Sequence, residues 1–172
     1  MTRALWRGER AVLVRPRMED EDEFLRAVER STTLHRPWVA PPSDPDAYRA
    51  YVRRTRRRDQ FGFLVRAAAD GSLAGVININ NVVFGAFLSG FLGYYAFQPH
   101  PKGLMTEALT GVVERAFGTL GLHRLEANIQ PDNLPSIRMV ERCGFRREGF
   151  SPQYLMVAEK WRDHERWAIT SS

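Results

Sequence analysis

The segment Gln98-Pro99-His100-Pro101-Lys102-Gly103-Leu104-Met105-Thr106 sets a lysine and a glycine directly before the first apolar pair of a long helical pattern. A glycine there lets a ligand approach the backbone. The first-turn amides of the helix behind it lack intrahelical partners and sit at the positive end of the helix dipole. The chemistry on offer is anion binding, phosphate above all, with Lys102 as an added point charge. The plainer alternative is a helix with a stiff, proline-flanked lead-in, and spacing alone leaves both open.

A second group lies downstream. Asn133-Leu134-Pro135-Ser136 opens another helical pattern, and Ser136 is either a cap for the helix begun by Pro135 or a hydroxyl free for chemistry. Glu126 and Asn128 alternate with Leu125, Ala127 and Ile129, so they share the polar face of one strand. Glu126 has the chemistry of a general base and Asn128 can only orient a water; a half-exposed strand face accounts for each equally well. His35, His100, His123 and His164 show no ligand spacing with one another or with Cys143, so no metal site is expected. As the one cysteine, Cys143 forms no internal disulfide and is expected to pack. Glu107, near a helix start, reads as a structural carboxylate favoured by the dipole. Trp38, Tyr95 and Tyr154 either line an acceptor channel or pack at its rim.

The elements that must position these groups follow from periodicity. Ala11–Pro16 reads as a strand stopped by proline, and Met18–Ser31 as a helix with an acidic opening. His35–Asp46 is proline-rich and reads as a loop; a helix is predicted from about Pro45 to Arg58. Phe61–Phe97 reads as three antiparallel strands with Asp70-Gly71 as a turn. After Gly103, apolar pairs recur every four residues as far as Leu120, the stripe of a helix pressed on a sheet. His123–Gln130 alternates as a strand, and the helix from Pro135 is expected to stop at Gly144. Phe145–Phe150 and Tyr154–Thr170 are strand-like. The order β-α-α-β-β-β-α-β-α-β-β predicts an α+β domain spanning residues 1–172, with no repeat or linker signal.

With 44% apolar and 26% charged residues, the chain falls in the globular range and outside the disordered one. The uncharged run Val82–Pro99 is too short and too glycine-rich for a membrane span. The opening "MTRALWRGER" breaks its apolar patch with charges before any signal-peptide core can form, so a cytoplasmic location is expected. A net charge of +5 points to an acidic partner. Arg53, Arg54, Arg56, Arg57 and Arg58 form either a solvated helix face or a contact for rRNA or for a cofactor's phosphates.

"GLHRLEANIQPDNLPSIRMVERCGFRREGF" (Gly121–Phe150), with "KGLMTEAL" (Lys102–Leu109), "RPW" (Arg36–Trp38), "GYY" (Gly93–Tyr95) and "WRDH" (Trp161–His164), closely resembles the GNAT acetyltransferases. Within them it looks like the RimJ-type and RimL-type branch, which acetylates N-terminal alanines of ribosomal proteins. The resemblance implies a GNAT fold with a mixed, mostly antiparallel, splayed sheet flanked by helices. It implies acetyl-CoA as cosubstrate and no metal. The pantetheine arm would lie between the strand ending near Phe97 and the strand at Leu122–Gln130.

The family's pyrophosphate loop, Gln/Arg-x-x-Gly-x-Gly/Ala, falls on His100 to Met105. Gly103 is retained, His100 replaces Gln/Arg, Met105 replaces a small residue, and Pro101 removes a backbone donor. One missing hydrogen bond to a charged group is a loss of about 1.5–3 kcal/mol unless Lys102 or another basic side chain replaces it. The cofactor contacts implied are Phe97, Gln98, His100, Lys102, Gly103, Leu104, Met105, Thr106 and Asn133. Ser136 matches the serine of the branch's Asn-x-x-Ser motif, whose hydroxyl would hydrogen-bond the departing CoA sulfur. The tyrosine acid of some relatives falls on Val140, and the catalytic glutamate of others on Asn128.

The expected activity is acetyl transfer from acetyl-CoA to an amine by direct attack, the N-terminal α-amine of a ribosomal protein being the first expectation. An antibiotic, polyamine or amino acid is the enzyme alternative, and a non-catalytic CoA- or RNA-binding module is the alternative of another class. The chain is expected as a monomer or homodimer.

Overall fold

The computed structural model describes residues 3–172. Its centre is built from strands whose apolar runs are continuous, as strands covered on both faces require. Ala11–Val14 (β2) is buried at every position, and Phe61–Ala67 (β3) and Leu73–Val83 (β4) are buried along most of their length. Ala4–Arg7 (β1), Ser89–Ala96 (β5), Arg124–Ile129 (β6), Arg146–Val157 (β7) and Lys160–Thr170 (β8) complete an eight-stranded sheet in the order β1-β2-β3-β4-β5-β6-β8-β7.

Alternate residues of the central strands feed two cores. Leu13, Val65 and Ile77 face the helix Leu104–Gly118 (α4), whose Ala108, Leu109, Val112 and Ala116 cover them. Val12, Leu64 and Val76 face Glu21–Arg30 (α1) and Pro45–Arg54 (α3). There Phe24 is fully buried, 4.6 Å from the Tyr48 ring and edge-on to Phe97. Truncating it to alanine is worth about 3–5 kcal/mol.

Among the described residues only β5 and β6 pair in parallel, and α4 is the crossover that such a pair requires. They pair over Ser89↔Arg124 to Leu92↔Ala127 and then part. Beyond that point β5 stays with β4 as far as Ala96↔Gly75, while β6 stays with β8 as far as Ile129↔Glu165. A wedge is left open in the middle of the sheet. This is the mixed, mostly antiparallel, splayed α+β arrangement that the resemblance implies.

The structure departs from the periodicity in four places. The β1 strand is additional, its four residues being too short a run to register. Thr32–His35 forms a one-turn helix (α2) at the head of the expected loop. The helix expected to reach Arg58 ends at Arg54: the Thr55 hydroxyl donates to the Val52 carbonyl at 2.8 Å, and the amides of Arg56 and Arg57 fold back onto Arg53 and Arg54. The five arginines therefore do not share one helix face. Lastly, the strand expected from Tyr154 to Thr170 is broken at Ala158 and Glu159, which take φ of 48° and 60°. They make the tight turn between β7 and β8 without the glycine or asparagine that normally announces one. Among the described residues no helix is long and apolar enough to cross a membrane.

Candidate active site

Where β5 and β6 part, a cavity of about 630 Å³ runs between the two faces of the sheet. Gly93, Tyr94 and Tyr95 form one wall and Asn128, Ile129 and Gln130 the opposite wall. One face adds the start of α4 and of the helix Leu134–Arg142 (α5). The other adds His35, Trp38 and Asn78, and the β7–β8 hairpin contributes Leu155, Val157 and His164.

The start of α4 is shaped by Gly103, whose φ of 83° is the left-handed conformation glycine adopts freely. Lys102, Gly103, Met105 and Thr106 line the cavity beside it. His100 also lines it, with Nδ1 2.8 Å from the Phe97 carbonyl, so that nitrogen is engaged in holding the loop. The Leu104 amide donates to the Pro101 carbonyl at 3.3 Å. A basic side chain arrives from far away in sequence: Arg10, in the β1–β2 turn, places Nη1 3.4 Å from the Lys102 carbonyl. Glu107 fixes that turn by accepting from the Arg10 and Ala11 amides at 2.8 and 3.2 Å. Its structural reading holds, and Arg10 is a cation that no local pattern could have signalled.

Three of the expected cofactor contacts are not brought to the cavity. Phe97 is fully buried among Phe24, His35 and Tyr95, and its amide donates to the Ala74 carbonyl. Gln98 is held from behind, its amide donating to Ser31 Oγ at 2.9 Å and its carbonyl accepting from Arg30 Nε at 2.5 Å. Leu104 points into the core under the sheet. All three position the loop, because the chain must turn between β5 and α4 and alternate residues face inward.

At the other helix start, Asn133 is the N-cap of α5: its side chain accepts from the Ser136 amide at 3.4 Å. Ser136 is therefore not the cap. Its hydroxyl lies 2.5 Å from the Tyr94 hydroxyl, and both residues line the cavity. Burial pushes the Tyr94 phenol above its ordinary range, so it stays protonated at neutral pH. Val140, where the resemblance puts the tyrosine acid of some relatives, is fully buried and apolar.

The two polar residues of β6 separate. Asn128 lines the cavity, and its Oδ1 is buried with no hydrogen-bond partner among the described residues. Glu126 lies where β5 and β6 are still paired. Its carboxylate accepts from Arg124 Nε at 2.8 Å, and the same guanidinium also pairs with Glu148. The half-exposed, structural reading describes Glu126; its carboxylate does not reach the cavity.

No lining residue among those described is an aspartate or glutamate. The ring bases there include His35 and His164, each 3% exposed. The His35 ring lies 2.8 Å from the Ala96 carbonyl through Nε2, and a carbonyl only accepts, so Nε2 carries the proton and Nδ1 the lone pair. Desolvation lowers its pKa, leaving the ring neutral at pH 7. Tyr95, packed edge-on to His35, has a buried hydroxyl with no partner among the described residues. Trp38 and Tyr95 thus reach the cavity and Tyr154 does not. Cys143 sits behind the cavity, its thiol 3.4 Å from the Thr106 carbonyl and raised in pKa by burial.

Residues 10–146 match the sequence model of the acetyltransferase (GNAT) domain. The chain is 37% identical over 120 residues to a probable N-acetyltransferase YjcK of Bacillus subtilis (strain 168), covering 69% of this chain and 66% of that one. It is 41% identical over 100 residues to the [ribosomal protein uS5]-alanine N-acetyltransferase of Escherichia coli (strain K12), covering 58% and 52%. The matched part thus spans about half to two thirds of those relatives. The fold superposes on Mycobacterium smegmatis RimJ in complex with CoA-disulfide with a TM-score of 0.85 and 29% identity, covering 94% of this chain and 82% of that one.

Proposed function

The chain belongs to the GNAT acetyltransferase family, and we propose that it transfers acetyl from acetyl-CoA to the N-terminal α-amine of a protein, a ribosomal protein first. The observation that carries this reading is the wedge between β5 and β6. It joins an anion-binding helix start and a serine hydroxyl on one face to an aromatic, histidine-bearing recess on the other. The cosubstrate fits the residues present. Strands that have parted leave edge room for an extended amide-bearing arm, and the start of α4 with Lys102 and Arg10 suits a pyrophosphate. The complex of M. smegmatis RimJ with CoA-disulfide supports the same assignment.

In this reading the amine enters past Trp38, Tyr95 and His35. The orphaned Asn128 Oδ1 accepts one N–H of the amine, orienting the nitrogen lone pair toward the thioester carbon. As the nitrogen–carbon bond forms and the carbon–sulfur bond breaks, the electron pair moves to sulfur, where the Ser136 hydroxyl donates to the developing thiolate. The amine proton passes, through water, to the Nδ1 lone pair of His35. A free α-amine of pKa near 7.8 is roughly a tenth neutral at pH 7, whereas a lysine near 10.4 requires about 3.5 kcal/mol more to be neutral. A site with no carboxylate base thus suits an α-amine, which needs little beyond positioning.

A small amine is the second reading, because the cavity volume alone would hold one. Its polyamine form is disfavoured, since the described lining includes Lys102 and Arg142 and no acid to attract a polycation. For contact with rRNA, Arg53, Arg54, Arg56, Arg57 and Arg58 remain the proposed group, presented from the end of α3 and the following turn. Arg57 is partly neutralised by Asp59 at 3.3 Å, and Arg54 and Arg58 lie over the Tyr51 and Phe84 rings.

Thermal unfolding with acetyl-CoA tests the cosubstrate. A ligand at a hundred times its dissociation constant stabilises the fold by about 2.7 kcal/mol, so a rise of several degrees is expected. No shift at millimolar acetyl-CoA would sink the reading.

A further inference from the structure

We propose that Tyr94 is a positioning residue for the transfer step, its phenol donating to Ser136 Oγ so that the serine proton is left for the departing sulfur. The inference rests on the acetyl-transfer reading above and adds a residue to which no role has been given.

The geometry is specific. Tyr94 lies two residues beyond Leu92, the last β5 residue paired with β6, and it packs with the core on the α4 face. That places its hydroxyl at the opening wedge, 2.5 Å from Ser136 Oγ across 42 residues of sequence. Tyr95, the next residue, packs with the opposite core. The strand alternation thus sends one phenol to each side of the sheet.

A serine hydroxyl has one proton and two lone pairs. The Ser136 backbone amide is already committed to the Asn133 cap, so the hydroxyl is the group that meets Tyr94. If Ser136 donated to Tyr94, it would have no proton for sulfur. When Tyr94 donates, one lone pair of the serine oxygen is filled, its rotor is held, and its own O–H is polarised toward the cavity. Burial supports this direction by keeping the phenol protonated.

Tyr94 does not act as an acid. A thiol titrates near 8.5 and a phenol near 10, so a thiolate would not take the phenol's proton even without burial. The carbon–sulfur electron pair therefore stays on sulfur, stabilised by the Ser136 hydrogen bond, and no proton leaves Tyr94.

The test is a double-mutant cycle on steady-state turnover with acetyl-CoA and an Ala-started peptide. Tyr94→Phe keeps the ring and is expected to lower kcat about tenfold, the size of one hydrogen bond, with KM for acetyl-CoA nearly unchanged. In a Ser136→Ala background it is expected to add almost nothing, whereas in Ser136→Thr, which keeps a hydroxyl, the loss should return. A purely structural tyrosine would lower the melting temperature and reduce activity equally in all three backgrounds, and that result would overturn the proposal. Unchanged kcat in a folded Tyr94→Phe protein would overturn it alone, leaving acetyl transfer intact. If Tyr94→Phe does not fold, Ser136→Thr with the tyrosine kept must still exceed Ser136→Ala in kcat at equal KM, and equality overturns the proposal. No turnover by the unaltered protein with any amine would overturn both this inference and the acetyl-transfer reading.

Discussion

The carboxylate of Glu107 accepts from the backbone amide of Arg10 at 2.8 Å, fastening the β1–β2 turn to the first turn of α4 across 97 residues of sequence. The same turn delivers the Arg10 guanidinium to the loop where Pro101 has removed an amide donor. Arg10→Gln is therefore expected to weaken CoA binding about threefold to tenfold, with a smaller loss at high salt because the site is open to solvent. Calorimetric titration at two salt concentrations checks it; unchanged affinity would mean that Lys102 and the helix start suffice.

Ser136 and Asn133 should separate activity from stability. Asn133 caps α5, so Asn133→Ala is expected to cost about 0.5–2 kcal/mol of stability. Ser136→Ala leaves that cap in place and is expected to melt as the unaltered protein does while losing roughly a hundredfold in kcat, the usual scale for a donor at developing charge. Melting curves and turnover on both variants give the answer. A Ser136→Ala protein that is less stable but fully active would make the serine structural.

Much of this arrangement is legible in the sequence where the controlling interactions are local. The apolar pairs of α4, the alternation of β6, the turn at Asp70-Gly71 and the stop at Gly144, with φ of 87°, each express a preference within a few residues. The groups that escape are set by register and crossing. Arg10 reaches the loop only because β1 and β2 lie beside α4. Tyr94 meets Ser136 only because β5 and β6 part at Leu92. Glu126 and Asn128 look equivalent in sequence, yet one falls before the parting point and pairs with Arg124 while the other falls after it and faces the cavity. The Ala158-Glu159 turn was hidden for another reason: its positive φ values fall on residues that tertiary pairing, rather than propensity, holds there.

His35 predicts a pH dependence of stability. Desolvation holds its folded pKa below the ordinary 6.5. Between those two values the unfolded chain binds more protons than the folded one, so stability rises with pH through the window. The contribution is complete above 6.5 and is lost as pH falls toward the folded value. His35→Gln keeps an N–H for the Ala96 carbonyl and is expected to flatten this limb. Denaturant melts over a pH series check it, and an unchanged slope below pH 6.5 would show that other groups carry it.

Conversion of all five arginines from Arg53 to Arg58 to glutamine is expected to reduce ribosome association and flatten its salt dependence, with peptide acetylation retained. Co-sedimentation at graded salt measures it; unchanged association would make the cluster a solvated surface.

The central claim is tested most directly by release of free CoA thiol from acetyl-CoA with an Ala-started or Ser-started peptide, run beside a polyamine. Thiol release with the peptide and none with the polyamine is the expected result, because the cavity offers an α-amine positioning but offers a polycation no acid. Release with the polyamine and none with the peptide would contradict the account.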